Sequence, residues 1–369
     1  MDQHRIHIAT PLHYMPEGEK TFTWMKAVAV CYGFEVVNDF IPITPGGAPP
    51  LIGRDHLDNC DIVIGDVNCF RGGEPESGTI FELGLGFAKG KKLYSFARDY
   101  RNVIHRYPVA FFNDDETQTR GGMRLLDEHG FWYAEAGTPG NLMYTVPTKM
   151  VEGNFEDCLK VLRADLIEEA KDRGSRMIPK QDLRLEPTWP VPEGAHRAYL
   201  AGFECFMLNA REVGDAMKET CVKYGFEGIF PPDEAPGCPE KEPEIMANRY
   251  SMMANIFDRD QVHIRNSNMV IANLSPFHGQ EPDSGTVFEV GMTFGLGFDC
   301  YVFTGDGRPL RERVPCRADE EGQWRDVEGY IVEDYGFPLT HKIAGAAKVI
   351  VGDFDQAAAF VAKDKGINN

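Results

Sequence analysis

No apolar run in the chain approaches the eighteen or so residues that a membrane span needs. The first residues, Met1 to Ile8, pass straight into a strand-like pattern without the apolar core of a signal peptide, so the cytoplasm is the expected location. Basic residues are in short supply. Lys and Arg number 38 against 57 Asp and Glu, a net charge of −19. A nucleic-acid backbone asks for a basic face, so that partner is excluded, while a small neutral substrate is compatible with the balance. The nine cysteines show neither CxxC nor paired His spacing, and Cys31, Cys205, Cys221 and Cys300 sit in apolar runs. They read as reduced, buried small residues. No metal site and no cofactor is expected.

What the chain does have is a repeat. Glu281-Pro-Asp-Ser-Gly-Thr-Val-Phe-Glu-Val-Gly291 has a twin in Glu74-Pro-Glu-Ser-Gly-Thr-Ile-Phe-Glu-Leu-Gly84. Each follows an apolar run, 268–274 and 61–67, and each leads into helical spacing. Two strand–loop–helix units with carboxylates at the loop place charge where open α/β sheets bind ligands, beyond the carboxyl ends of the strands. At 369 residues two domains are expected. Strand and helix patterns alternate over 6–173, with helices at 21–33 and 155–173 and an irregular stretch at 98–140. They restart at 198, with helices at 212–225 and 244–260. Prolines 179, 187, 190 and 192 mark a linker. The predicted organisation is therefore a first domain over 1–173, a linker over 174–194 and a second domain over 195–369. Each is a doubly wound parallel sheet.

Thr286-x-x-Glu289 and Thr79-x-x-Glu82 each admit a structural and a chemical reading. The first is a capping box, the threonine capping the helix and the glutamate reaching back to its amide. The second is a nucleophilic carboxylate that attacks an acetal carbon such as C1′ of a nucleoside, with a second carboxyl assisting departure of the base. Asp283, six residues before Glu289, is a candidate for the same cleft. Gly291, Gly295 and Gly297 weaken the helix and imply close packing on the sheet. His7 and Asp260 each have a plainer reading, as a satisfied strand histidine and a solvated helix-end acid. Phe203, Phe206 and Phe277 would stack on a base or fill core. Met252 and Met253 would line a base pocket or, more simply, pack in the core, and Trp132 and Tyr133 would edge the cleft near Asn141.

With these residues in view, the chain resembles the nucleoside 2-deoxyribosyltransferase family in both halves, over about 5–167 and 196–364. The resemblance rests on Tyr199-Leu-Ala-Gly202, Asp260, Asp283-Ser-Gly-Thr-Val-Phe-Glu289 and Pro139-Gly-Asn141-Leu-Met143. It implies two flavodoxin-like (Rossmann-like) domains forming a pseudo-dimer, assembly of such units into oligomers, and nucleosides and nucleobases as partners. It also implies a glutamate nucleophile working by double displacement. On this resemblance Glu289 is the nucleophile, Tyr199 orients it and Asp283 assists, while Asp260, Asn141, Gly202 and Gly285 hold the substrate. The first half departs from the pattern: His7 stands for the tyrosine and Glu76 for the aspartate, and Asp55 is an uncertain counterpart of Asp260, while Glu82 is kept. The second half lacks the late asparagine, having Thr340. The expectation is one composite site, with carboxylates from the second half completed by Asn141 from the first, opposite an altered site of His7, Asp55, Glu76, Glu82 and Thr340. Deoxyribosyl transfer is the first functional reading. Hydrolysis of the N-glycosidic bond of nucleosides or their 5′-monophosphates, and a nucleotide-sensing module, are the rivals.

Overall fold

The computed structural model describes residues 4–44, 46–101, 109–113, 123–127, 129–132, 138–172, 187–239 and 249–367. In the first half, strands β1 (Arg5–Ala9), β2 (Glu35–Val36), β3 (Ile62–Asp66), β4 (Lys92–Ala97) and β7 (Lys149–Glu152) form one sheet in the order β2-β1-β3-β4-β7. In the second, β8 (Arg197–Ala201), β9 (Glu227–Ile229), β10 (Met269–Asn273), β11 (Asp299–Thr304) and β14 (Lys348–Val351) repeat it as β9-β8-β10-β11-β14. Every pairing in both sheets is parallel. The order 2-1-3-4-5 is the flavodoxin-like one. The central strands β3 and β10 are buried along their whole length, as expected for strands covered on both faces.

Helices α1 (Gly18–Cys31) and α4 (Phe155–Asp172) cover the outer face of the first sheet. Helices α5 (Ala210–Lys223) and α10 (Phe354–Asp364) do the same for the second. The glycine stops read from the sequence are real, for Gly33 and Gly225 follow α1 and α5 with φ of 88° and 83°. The linker region from 173 to 186 and the start of the helix expected at 244 fall outside the described residues, and α6 runs Arg249–Arg265. Two antiparallel hairpins were not anticipated: β5 (Val109–Asn113) with β6 (Met123–Asp127), and β12 (Cys316–Ala318) with β13 (Trp324–Asp326). They occupy equivalent positions in the two halves.

The inner faces share one core. Val63, Phe81 and Leu83 of the first half lie in the same buried cluster as Tyr199, Val270 and Phe288 of the second. At its centre α2 (Ser77–Ala88) crosses α7 (Ser284–Gly295). A Cβ on Gly84 would run into the Phe288 carbonyl, and one on Gly291 into that of Phe81. Gly291 was expected to press α7 onto its own sheet. Instead Gly84 and Gly291 let two helix backbones touch where helices ordinarily meet through side chains. Gly295 meets Ala88 in the same crossing, and Gly297, with φ of 85°, ends the helix.

The loops entering α2 and α7 also clasp each other. Gly73 N–H donates to the His278 carbonyl at 2.8 Å and Gln280 N–H to that of Arg71 at 3.0 Å. Arg71 and His278 both have left-handed backbones, φ 50° and 51°. Each side chain then reaches the other half's hairpin: Arg71 Nε donates to Asp326 at 2.7 Å, and His278 Nε2 lies 2.5 Å from Asp127. Glu281 accepts from Ser77 N–H at 3.1 Å, and Glu74 from Ser284 N–H at 3.3 Å.

Candidate active site

At the carboxyl end of the second sheet, β8 presents Tyr199 and α7 presents Glu289. The fully buried Tyr199 hydroxyl donates to Glu289 Oε1 at 2.5 Å. Thus Glu289 does not reach back as a capping glutamate. Asp283 supplies the cap, its Oδ2 accepting from Thr286 N–H at 2.8 Å and Oγ1 at 2.7 Å. Its other oxygen accepts from Asn141 Nδ2 of the first half at 3.0 Å. Asn141 itself caps α3 (Leu142–Thr145) through Met143 N–H, which fixes its orientation. Gly285 leaves room for it, since a Cβ there would overlap the Asn141 amide. Two pairs result, Tyr199 with Glu289 within the second half and Asn141 with Asp283 across the halves, and the charge of Asp283 is felt at Glu289. Asp260 joins them from α6. It is only 6% exposed, which sets aside the reading of a solvated helix end.

Burial pushes Glu289 well above the usual carboxylate range, and the like charge of Asp260 adds to it. Burial also pushes Asp260 up to about 8 and Asp283 up to about 6. Two neighbouring buried carboxyls that resist joint ionisation can share a proton, leaving one as nucleophile and one as acid. A further acid was missed. Glu204, just past Gly202, accepts from Asn273 Nδ2 at 2.6 Å, while its Oε2 is buried without a partner among the described residues. Burial raises its pKa, and Asp283 adds to that. A second acidic residue two places beyond the strand-ending glycine was the available signal. Phe203 and Phe206 each stack on Phe277, with Phe131 of the first half against Phe203 and Phe277. Met253 is core, Trp132 N–H donates to the Phe206 carbonyl at 2.7 Å, and Tyr133 lies outside the described residues.

The opposite site is differently built. Glu82 Oε1 lies 3.2 Å from His7 Nε2 and 2.7 Å from His56 Nε2, and Oε2 accepts from Lys342 Nζ of the second half at 2.9 Å. Against the pull of burial, Lys342 and then His7 hold Glu82 well below the carboxylate range. His7 is therefore partnered by the candidate nucleophile rather than by ordinary strand neighbours. Glu76 is not in the cleft as a free acid: both its oxygens cap α2 through Gly78 and Thr79 N–H, each at 2.7 Å. Thr340 Oγ1 rests 3.4 Å from Ser77 Oγ. Asp55 needs correcting. It is exposed on a turn, and His56 beside it is the residue that enters. Counting back to an acid hid this, although His56 precedes Asp61 by five residues as His263 precedes Asn268. Lys342 stands two places after Thr340, as Met143 does after Asn141, and was equally readable. Among the described residues His7, His56 and Glu82 alone bring three metal-type donor atoms within 4.8 Å of one another. The Lys342 ammonium on the same carboxylate opposes a divalent cation there.

A sequence model of the family described as nucleoside 2-deoxyribosyltransferase matches residues 6–143 and again 198–341. The chain belongs to the nucleoside 2-deoxyribosyltransferase family. It carries that unit twice. It is also similar to an uncharacterized protein of Schizosaccharomyces pombe, 29% identical over 154 residues, which are 38% of this chain and 71% of the other. Among solved structures it is similar to a 2-desoxiribosyltransferase from Leishmania mexicana, 26% identical, covering 46% of this chain and 97% of that one with a TM-score of 0.36. No helix among the described residues is long and apolar enough to cross a membrane.

Proposed function

We propose that the chain transfers a 2-deoxyribosyl group between nucleobases at the second-half site, through an ester to Glu289. The observation that carries this reading is the Tyr199–Glu289 hydrogen bond with the buried Asp260 alongside and Asn141 reaching in from the other half. Ionised Glu289 attacks C1′ as the C1′–N bond breaks. The departing base takes the proton that Asp260 holds, and a glycosyl ester remains. A second base then attacks C1′, the ester bond breaks, and that base returns a proton to Asp260. Tyr199 releases its hold on Glu289 Oε1 as the ester forms and restores it as the carboxylate returns. Asn141 and Asp283 form a donor–acceptor pair suited to a sugar hydroxyl. Glu204, Asp260, Asp283 and Glu289 together disfavour a phosphate, which supports nucleosides over nucleoside monophosphates as substrates.

The domain limits 1–173 and 195–369 are part of this proposal, as is the assembly of such units into oligomers. Incubating a deoxynucleoside with and without a second free base tests it. A new deoxynucleoside formed only with the second base is the expected result. Free deoxyribose at equal rate in both reactions replaces transfer with hydrolysis. No consumption of any deoxynucleoside refutes both.

A further inference from the structure

The first half holds a cavity of about 350 Å³ between β1, residues 38–43 and 50–52, and the Glu82 network. Ile8, Phe22, Phe40, Ile43 and Ile52 give it apolar wall area, beside polar groups from Thr10, His13, Asn38 and Asn59. It shares His13, Phe40 and Ile43 with a wider groove of about 640 Å³ at the start of α1, which gives access from the surface.

Glu82 lies at its floor, yet neither oxygen is free. Oε1 is taken by His7 and His56 and Oε2 by Lys342. Lys342 lies across Gly78, its Cδ where a Cβ would be, as Asn141 lies across Gly285 on the other side. The other charged groups on the walls are matched too: Asp39 accepts from Lys26 at 2.8 Å, and His341 Nδ1 lies 2.6 Å from Glu333. A charged ligand would find no unmatched partner. What is left over is neutral. The Thr10 hydroxyl, on a residue 2% exposed, and His13 Nε2 are both buried without a hydrogen-bond partner among the described residues. Orphaned buried polar groups beside a cavity are costly unless a ligand or water completes them.

We propose that this cavity is a second ligand site, which holds an uncharged nucleobase-bearing molecule and does not cleave it. Apolar side chains on the walls, two neutral hydrogen-bonding groups and this volume suit a heteroaromatic ring. The free base and the intact nucleoside share that chemistry. The site rests on the proposed function only for its ligand class, since it needs no turnover at Glu289.

The test is equilibrium binding to the full-length Glu289→Ala chain, using adenine, cytosine and thymine in one arm and the matching deoxynucleosides in the other. Two ligands per chain are expected for at least one probe, and the arm that gives them separates free base from nucleoside. Thr10→Val with His13→Ala should weaken the first-half class at least tenfold. In an otherwise native chain the same pair should leave exchange at the second-half site intact, which confirms folding. One ligand per chain or none for every probe, or a second class unmoved by the Thr10 and His13 changes, overturns the site. Deoxynucleoside consumption by Glu289→Ala that vanishes on adding Glu82→Ala overturns the claim that it does not cleave. Two ligands bound with no exchange in the native chain leave this site standing and remove the proposed function instead.

Discussion

Replacing Tyr199 by Phe isolates one atom of the proposed mechanism. The ring is fully buried and its hydroxyl donates to Glu289 Oε1 at 2.5 Å, so the change removes that oxygen with little loss of packing. A hydrogen bond to a charged group contributes about 1.5–3 kcal/mol. This one favours ionised Glu289 against burial and Asp260, both of which favour the protonated form. Its loss must therefore raise the Glu289 pKa, by about 1–2 units at 1.36 kcal/mol per unit. Because the nucleophile has to be ionised, the acid limb of the kcat profile should move to higher pH by that amount. Below the limb, kcat should fall about 10- to 100-fold. KM should change little, since Tyr199 acts on the nucleophile rather than on the substrate. A pH profile of base exchange by native and Tyr199→Phe chains measures this. An unmoved acid limb, or a loss confined to KM, refutes the role given to Tyr199.

Other expectations follow from the same geometry. Asp260, with a pKa of about 8, should give an alkaline limb near that pH as it loses its proton; Asp260→Asn should abolish that limb and lower kcat by about 10²- to 10⁴-fold. Glu289→Ala should abolish exchange while Glu82→Ala leaves most of it, and a larger loss from Glu82→Ala would reverse the assignment of the halves. A carboxyl whose folded pKa is raised stabilises the fold fully below its unfolded value near 3.8 and loses that contribution as pH rises through the folded value. The melting temperature of Asp260→Asn relative to the native chain should accordingly climb between pH 5 and pH 8.5. Gly84→Ala and Gly291→Ala force a methyl against a carbonyl of the facing helix; each should cost about 3 kcal/mol or more, the upper end for overpacking, read by denaturant titration.

Much of the fold was legible because a repeat constrains two stretches at once. The strands around 62–66 and 269–273 and the loops after them follow from apolar runs with matching Ser-Gly-Thr entries. Glu289, Tyr199, Asp283 and Asn141 were legible through the family pattern. What escaped depends on contacts between the halves, which local periodicity does not encode. Gly291 looked like a sheet-packing glycine because nothing in α7 records α2 opposite. Lys342 lies 260 residues from Glu82, and only folding brings them together. His56 and Asp55 are neighbours on a turn, and a spacing rule alone cannot tell which points inward. The strand pairs 109–113 with 123–127 and 316–318 with 324–326 hid in charged, glycine-rich stretches, where a two-strand ribbon leaves little alternation to read.

The pairing of α2 with α7 within a single chain has a consequence for how such a molecule can change over generations. Where two identical copies associate, any substitution is written into both clefts together, and a variant that spoils one spoils the other. Here each cleft has its own codons. Tyr199 can persist while His7 drifts, and Asn141 while Thr340 departs. Covalent fusion breaks the symmetry, so one cleft can change while the other keeps its residues.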